Sequence, residues 1–224
     1  MPAHDFELVI GDKTWSSWSL RPWLLMTQAG IPFRETSIRL RQDDTPAQAL
    51  KHSPSGHVPV LKWGRDLVWD SLAISETIAD LFPEKTLWPA DPVARAVARS
   101  ISAEMHSGFT ALRRDMGMDV LHSYPGEGHS EEALACARRI VDLWRDARTR
   151  FGKTAPQDEG FLFGRFSVAD AMYAPVVTRF RTYAVDVAKL GDDGTAAAYM
   201  KLMLALPSFR AWEDSARAEW AARG

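Results

Sequence analysis

Residues 6–40, FELVIGDKTWSSWSLRPWLLMTQAGIPFRETSIRL, decide the fold of this chain. Phe6-Glu7-Leu8-Val9-Ile10 is short, apolar and closed by Gly11-Asp12, which reads as a strand. Ser17 or Ser19 then precedes Leu20, Trp23, Leu24, Met26 and Thr27 at helical spacing. Gly30 stops that helix as the residue past its cap, and Pro32 follows. Phe33 to Leu40 alternates again and reads as a second strand. Strand, helix and strand in this order predict a βαβ unit with parallel strands.

Working outward, Asp44, Thr45 and Pro46 predict the cap and first position of a short helix. Val60 to Trp63, a turn at Gly64-Arg65-Asp66, and Leu67 to Trp69 predict an antiparallel hairpin. Ser71 to Leu81 carries Leu72, Ile74, Ile78 and Leu81 as one helical stripe, closed by Pro83. Pro83, Pro89 and Pro92 then punctuate residues 82–92, where neither helix nor strand is favoured. Everything beyond favours helix: Val93 to about Met118, Ser130 to Phe151, Val168 to about Val187, Thr195 to Ala205 and Phe209 to Ala222. The expected architecture is α+β with two domains: 1–83 with order β-α-β-α-β-β-α, a linker at 84–92, and an all-helical domain at 93–224.

Composition narrows the function. At 224 residues, and about 150 per domain, the chain has room for one or two domains with a large core. Hydrophobic residues make up 46%, charged residues 25%, and mean hydropathy is -0.22, which excludes a disordered chain or a fibre. A net charge of -2 counts against a nucleic-acid binder, which would carry a basic excess. The single cysteine, Cys136, excludes an intrachain disulfide and a thiolate-rich metal site, and fits a reducing compartment. Asp5 and Glu7 stand where a signal peptide needs Lys or Arg, and no apolar run is long enough to span a bilayer. A cytoplasmic chain without membrane or nucleic-acid partners is expected. Of nine tryptophans, Trp15, Trp18 and Trp23 crowd one early segment, as at a packed junction or an interface.

Three short segments carry the chemistry. Trp15-Ser16-Ser17-Trp18-Ser19-Leu20-Arg21 places hydroxyls at a helix amino terminus, where unpaired N–H groups favour an anion. Gly56-His57-Val58-Pro59-Val60-Leu61 places a proline at the mouth of a strand. Trp69-Asp70-Ser71-Leu72-Ala73 ends a strand and starts a helix, with Ser71 as its cap and Asp70 free to meet an ammonium. Taken singly, each reads first as an ordinary cap or turn. Their succession at the strand ends of one βαβ-ββα unit is the specific signal.

That succession resembles the glutathione transferase superfamily across essentially the whole chain. Ser16-Ser17-Trp18-Ser19-Leu20-Arg21 is similar to the SSCSxR motif of its zeta class, with Trp18 in place of cysteine. Ser53 to Leu61 resembles the NPxxxVPxL loop with its cis-proline, and Asp70-Ser71-Leu72-Ala73-Ile74 the E/D-S-x-A-I signature. Gly164 to Asp170 and Leu206 to Trp212 resemble helix starts of the family's carboxy-terminal half, the former as a capping box of Ser167 and Asp170. The resemblance implies a thioredoxin-like amino-terminal domain, a helical-bundle second domain, a homodimer, and glutathione as co-substrate without a metal. It implies Ser16, or Ser17, facing the glutathione sulfur as the catalytic hydroxyl. Val58 with Pro59 would pair with the cysteinyl backbone, and Asp70 with Ser71 would hold the γ-glutamyl end. Arg21 and His57 would lie near the same ligand. Trp18, Asp70 in place of the zeta glutamine, and Pro22 in the first turn of helix one depart from that class. They weaken any inference to its maleylacetoacetate isomerase activity.

A small electrophile is expected between the domains, against Met105, His106, Phe109 and Arg113 on one face of the long helix after the linker, with Tyr173 and Phe180 beside them. The competing reading makes these a core stripe with a solvated arginine. Cys136 reads as a small core residue. The six histidines, His4, His52, His57, His106, His122 and His129, show no metal-binding spacing. The leading expectation is a glutathione transferase. The alternatives are a glutathione-dependent cis–trans isomerase, peroxide reduction, and a non-catalytic ligand-binding protein of the same fold.

Overall fold

In the computed structural model, which describes residues 5–223, strand β1 (Phe6–Gly11) runs through the middle of a four-stranded sheet. It pairs in parallel with β2 (Arg34–Ile38) and antiparallel with β3 (Val60–Trp63). Strand β3 pairs antiparallel with β4 (Asp66–Trp69) across the two-residue turn Gly64-Arg65, giving the order β2-β1-β3-β4. Side chains alternate across a strand, so β1 serves two cores at once. Phe6, Leu8 and Ile10 join the large core with Leu20 and Leu24 of α1 (Ser17–Gln28) and Ile74 and Ile78 of α3 (Ser71–Leu81). Val9 joins Ile38, Val60 and Ala49, the last from α2 (Thr45–Leu50), on the other face. This is a thioredoxin-like layer of sheet and helices.

The rest is helical: α4 (Pro92–Ser107), α5 (Thr110–Asp115), α6 (Glu131–Ala147), α7 (Val168–Thr182), α8 (Thr195–Ala205) and α9 (Pro207–Ala221). Helix α1 packs on the sheet-side helix α3 and also against α7 and α9, so Leu20 and Trp23 to Met26 are all buried. Helix α7 starts at the expected capping box. The Asp170 carboxylate accepts from Ser167 N (2.8 Å), Ser167 Oγ (2.8 Å) and Leu162 N (3.1 Å). Helix α1 ends as its sequence predicts. Gly30, at φ +66°, donates to Thr27 O and Ile31 N donates to Met26 O, the paired bonds of a glycine-ended helix.

Several expectations needed correction. The helix expected to run unbroken from Val93 to Met118 is two helices. Gly108 ends α4 and Phe109 turns left-handed at φ +55°, while Arg113 Nη1 donates to the carbonyls of Met105 and His106 and so finishes α4. A Cβ on Gly108 would lie 2.7 Å from Glu104 O, so the turn is built around glycine. Strand β2 stops at Ile38, short of Leu40, because Leu40 N–H leaves the ladder for the Asp12 carboxylate. Pro22 sits inside α1, beyond its first turn, and leaves the Trp18 carbonyl without its i+4 donor. Pro46 is the second residue of α2, whose start Asp44 makes no side-chain cap. Helix α7 ends at Thr182, five residues early, because Ala184 adopts φ +51° and Ala184 N and Val185 N close the end on Arg181 O and Phe180 O. That is a glycine-type ending made without glycine. A 3-10 turn at Pro83–Lys85 spans the expected boundary between the first domain and the linker, and α6 passes into a π turn at Arg148–Gly152. No helix among the described residues is long and apolar enough to cross a membrane.

Candidate functional site

The amino terminus of α1 is set by the loop from β1. Asp12 O accepts from Trp15 N (3.1 Å) and Ser16 N (2.8 Å), and Trp212 Nε1 of α9 donates to Lys13 O (2.8 Å). Trp15 is held by Trp220, 5.8 Å away edge to face, and by the Arg41 guanidinium 4.1 Å over its ring. Ser16 is the cap residue by position but makes no side-chain cap bond. Its hydroxyl instead donates to Ser19 Oγ (2.7 Å), and Ser19 Oγ also accepts from Gly11 N (3.1 Å). Ser16, Ser17 and Ser19 are all buried.

The second segment meets the first across a cleft of about 570 Å³ whose lining includes Ser16, Ser17, Val58, Pro59, Asp70 and Ser71. The Val58–Pro59 bond is cis, as the resemblance implies. His57 also borders the cleft, exposed at its rim, with Nδ1 3.0 Å from Gly56 O. A larger cavity of about 750 Å³ lies beside Trp88, Phe151 and Phe166 and holds none of these three segments; side-chain chemistry, not volume, singles out the first.

The third segment differs from expectation in one respect. Asp70, at φ +78°, is the cap of α3, and its Oδ1 accepts from Leu72 N (2.8 Å) and Ala73 N (3.3 Å). Ser71, expected as the cap, is the first helical residue and is buried, because the longer Asp70 side chain reaches both N–H groups from outside the turn. Asp70 Oδ2 lies 3.2 Å from His106 Nε2, so a residue of α4 meets the sheet half of the cleft. Arg21 Nη1 reaches Ser71 Oγ at 3.5 Å, and its guanidinium lies 4.2 Å from the Trp18 ring centroid.

Of the four residues expected along the electrophile wall, only His106 lines the cleft. Met105 and Phe109 are buried in the core, and Arg113 is half-buried behind Trp18, 5.3 Å from its ring centroid. The break at Gly108 rotates Phe109 and Arg113 away from the face that a single helix would have presented. Tyr173 and Phe180 are also core residues, with Tyr173 Oη donating to Ile101 O (3.0 Å) and burial raising its pKa. Cys136 is half-buried and packs against the core. No three His, Cys, Asp or Glu side chains gather as metal ligands among the described residues, and His4 lies outside them. Reading the sequence alone passed over Ser19 as a partner of Ser16 and Asp70 as a partner of His106. The first follows from the i,i+3 spacing on α1; the second joins residues 36 positions apart and has no local signal.

Comparison with known proteins agrees with this fold. Residues 15–81 match the glutathione S-transferase N-terminal domain and residues 127–215 the glutathione S-transferase C-terminal domain. The chain belongs to the glutathione S-transferase superfamily. It is 29% identical to the maleylacetoacetate isomerase of Rattus norvegicus over 201 residues, 87% of each chain. Its similarity to the probable maleylacetoacetate isomerase of Caenorhabditis elegans, 28% over 97 residues, covers 43% of this chain and 45% of that one. Among solved structures, a Burkholderia glutathione transferase homologue with bound glutathione shares the fold at a TM-score of 0.69 and 19% identity, over 96% of this chain and 99% of that one.

Within this superfamily fold, the Ser16–Ser19 bond invites a direct test. Ser19→Ala removes the acceptor of two buried donors, Gly11 N and Ser16 Oγ. We expect a loss of about 1–3 kcal/mol in stability, read by urea unfolding. A change near zero would show that water replaces the hydroxyl.

Proposed function

We propose that the chain is a glutathione transferase that binds glutathione in the 570 Å³ cleft and presents its sulfur as thiolate to a small electrophile. The observation that carries this reading is the convergence on one cleft of the α1 hydroxyls, the Val58–Pro59 loop and the Asp70–Ser71 start of α3. A cysteinyl thiol with pKa ~8.5 is about 3% ionised at pH 7, and lowering it by ~2 units makes the thiolate the major form. That shift needs roughly 2.7 kcal/mol, within the range of one charge-assisted hydrogen bond and a helix amino terminus.

In this mechanism the thiol proton leaves to solvent, and Ser16 donates its hydroxyl hydrogen to the sulfur. Ser19, whose oxygen already accepts from Gly11 N, then reverses its bond and donates to Ser16 Oγ. Ser17, the next hydroxyl along the helix, is the competing donor. Val58 pairs with the cysteinyl backbone beside Pro59. The γ-glutamyl ammonium meets Asp70, and its carboxylate meets the hydroxyl and backbone N–H of Ser71 at the start of α3. Arg21 steadies Ser71 from behind, and His57 stands at the rim. The thiolate attacks an electrophilic carbon, forming a carbon–sulfur bond, while the carbon's leaving group or π electron pair takes up the displaced charge.

A second reading is favoured by the relatives named maleylacetoacetate isomerase. There the thiolate adds to a conjugated carbon–carbon double bond, the resulting single bond rotates, and elimination releases the isomer with the thiolate regenerated. Both readings share the first step. A homodimer, the assembly implied by the family resemblance, is part of this proposal.

The deciding experiment is the ultraviolet absorbance of thiolate in the glutathione complex, titrated with pH. A thiol pKa near 6.5, about two units below the free value, supports activation. Binding with an unshifted thiol moves the protein to the non-catalytic, ligand-binding reading.

A further inference from the structure

Three guanidinium groups come together behind the inner wall of the cleft, one from each of three helices. Arg21 of α1 and Arg179 of α7 are 1% and 4% exposed, and Arg113 of α5 is half-buried. Arg21 and Arg113 both lie over the Trp18 ring, and Trp18 lines the cleft. Each guanidinium carries five N–H donors, yet their recorded acceptors are neutral. Arg21 has Ser71 Oγ, Arg113 has the carbonyls of Met105 and His106, and Arg179 has Met116 O. Nε of Arg21 and Nε of Arg179 are buried and meet no acceptor among the described residues.

No carboxylate forms an ion pair with any of the three among the described residues, whereas fourteen other lysine and arginine side chains of the same chain do. Asp70 is the carboxylate whose field reaches Arg21, and its oxygens already serve the cap of α3 and His106. Burial and the repulsion of Arg179 and Arg113 pull Arg21 down to about 9, and burial and the repulsion of Arg113 pull Arg179 down to about 10. Both remain cations at neutral pH. Buried like charges without a counter-charge are costly, and a planar donor fork is suited to a carboxylate or another small anion.

We propose that Arg21, Arg113 and Arg179 form a binding site for a small monovalent anion, either a free inorganic anion or a small free carboxylate. The site is independent of whether the cleft takes glutathione. Its ligand supplies the negative charge that the fold omits, and it ties α1 to α5 and α7 across the two halves of the chain.

The test uses the full chain without glutathione and reads the line width of the chloride NMR signal, with ionic strength held constant by a bulky sulfonate salt. Wild type is expected to give saturable excess broadening, and its melting temperature is expected to rise with chloride. Arg179→Met and Arg113→Met are expected to lose both effects while still unfolding in one cooperative transition. Loss in either folded variant supports the site, so failure of one variant to fold leaves the other decisive. Displacement of chloride by sodium acetate assigns the site to carboxylates as well, and no displacement assigns it to inorganic anions. Absence of saturable broadening in wild type, or broadening unchanged in a folded variant, overturns the proposal.

Discussion

Ser16→Ala is expected to return the thiol of bound glutathione from a pKa near 6.5 to about 8.5, and to cut kcat/KM about 25-fold at pH 7. The factor is the ratio of thiolate fractions, about 76% against about 3% at that pH. The deficit should shrink as pH rises and vanish above about pH 9.5, where the thiol ionises unaided. That convergence distinguishes loss of a hydrogen bond from loss of geometry. Stability gives a second safeguard. Ser16 makes no cap bond with its side chain, and its one recorded hydroxyl bond is to Ser19. The variant is therefore expected to lose no more than about 1.5 kcal/mol of folding free energy. Ser17→Ala serves as the matched control. If Ser17→Ala carries the shift and Ser16→Ala does not, the donor role passes to Ser17.

The largest expected effect on stability lies at Asp170, far from the cleft chemistry. Its buried carboxylate accepts from Leu162 N, Ser167 N and Ser167 Oγ, and so joins the loop before α7 to the first turn of that helix. Asp170→Ala strands these donors in the core, and a loss of about 3–5 kcal/mol is expected. Burial, opposed by those same bonds, raises Asp170 from 3.8 to about 6. Between those values the folded chain keeps a proton that the unfolded chain has released, so stability falls as pH rises through the window. Asn at this position does not titrate. The stability advantage of wild type over Asp170→Asn, measured by urea unfolding, is therefore expected to narrow from pH 4 to pH 7. A gap that widens would show that the carboxylate is held as an anion by its donors.

Local signals accounted for much of this architecture. The limits of α3 and α8, the end of α1 at Gly30 and the capping box of α7 were all legible. Each rests on contacts within about five residues, where side-chain period and cap chemistry act directly. The misreadings have a different origin. Gly108 interrupts apolar spacing that continues on both sides of it, and Ala184 ended α7 in a conformation that alanine does not advertise. Ser71 read as the cap and Asp70 as a free acid, and only the backbone at φ +78° made Asp70 the side chain that points back over the turn.

By itself the sequence determined the order of elements, the sheet-then-helix division, and the three segments that carry the resemblance to the glutathione transferase superfamily. Tertiary structure alone decided which residues of the helical half reach those segments. His106 meets Asp70, while Met105, Phe109, Tyr173 and Phe180 go to the core. It alone brought Arg21, Arg113 and Arg179 together from three helices. Hydrogen-bond caps and hydrophobic period act over one or two turns and are written locally. The meeting of charges from distant helices depends on how those helices pack, and no local pattern records it.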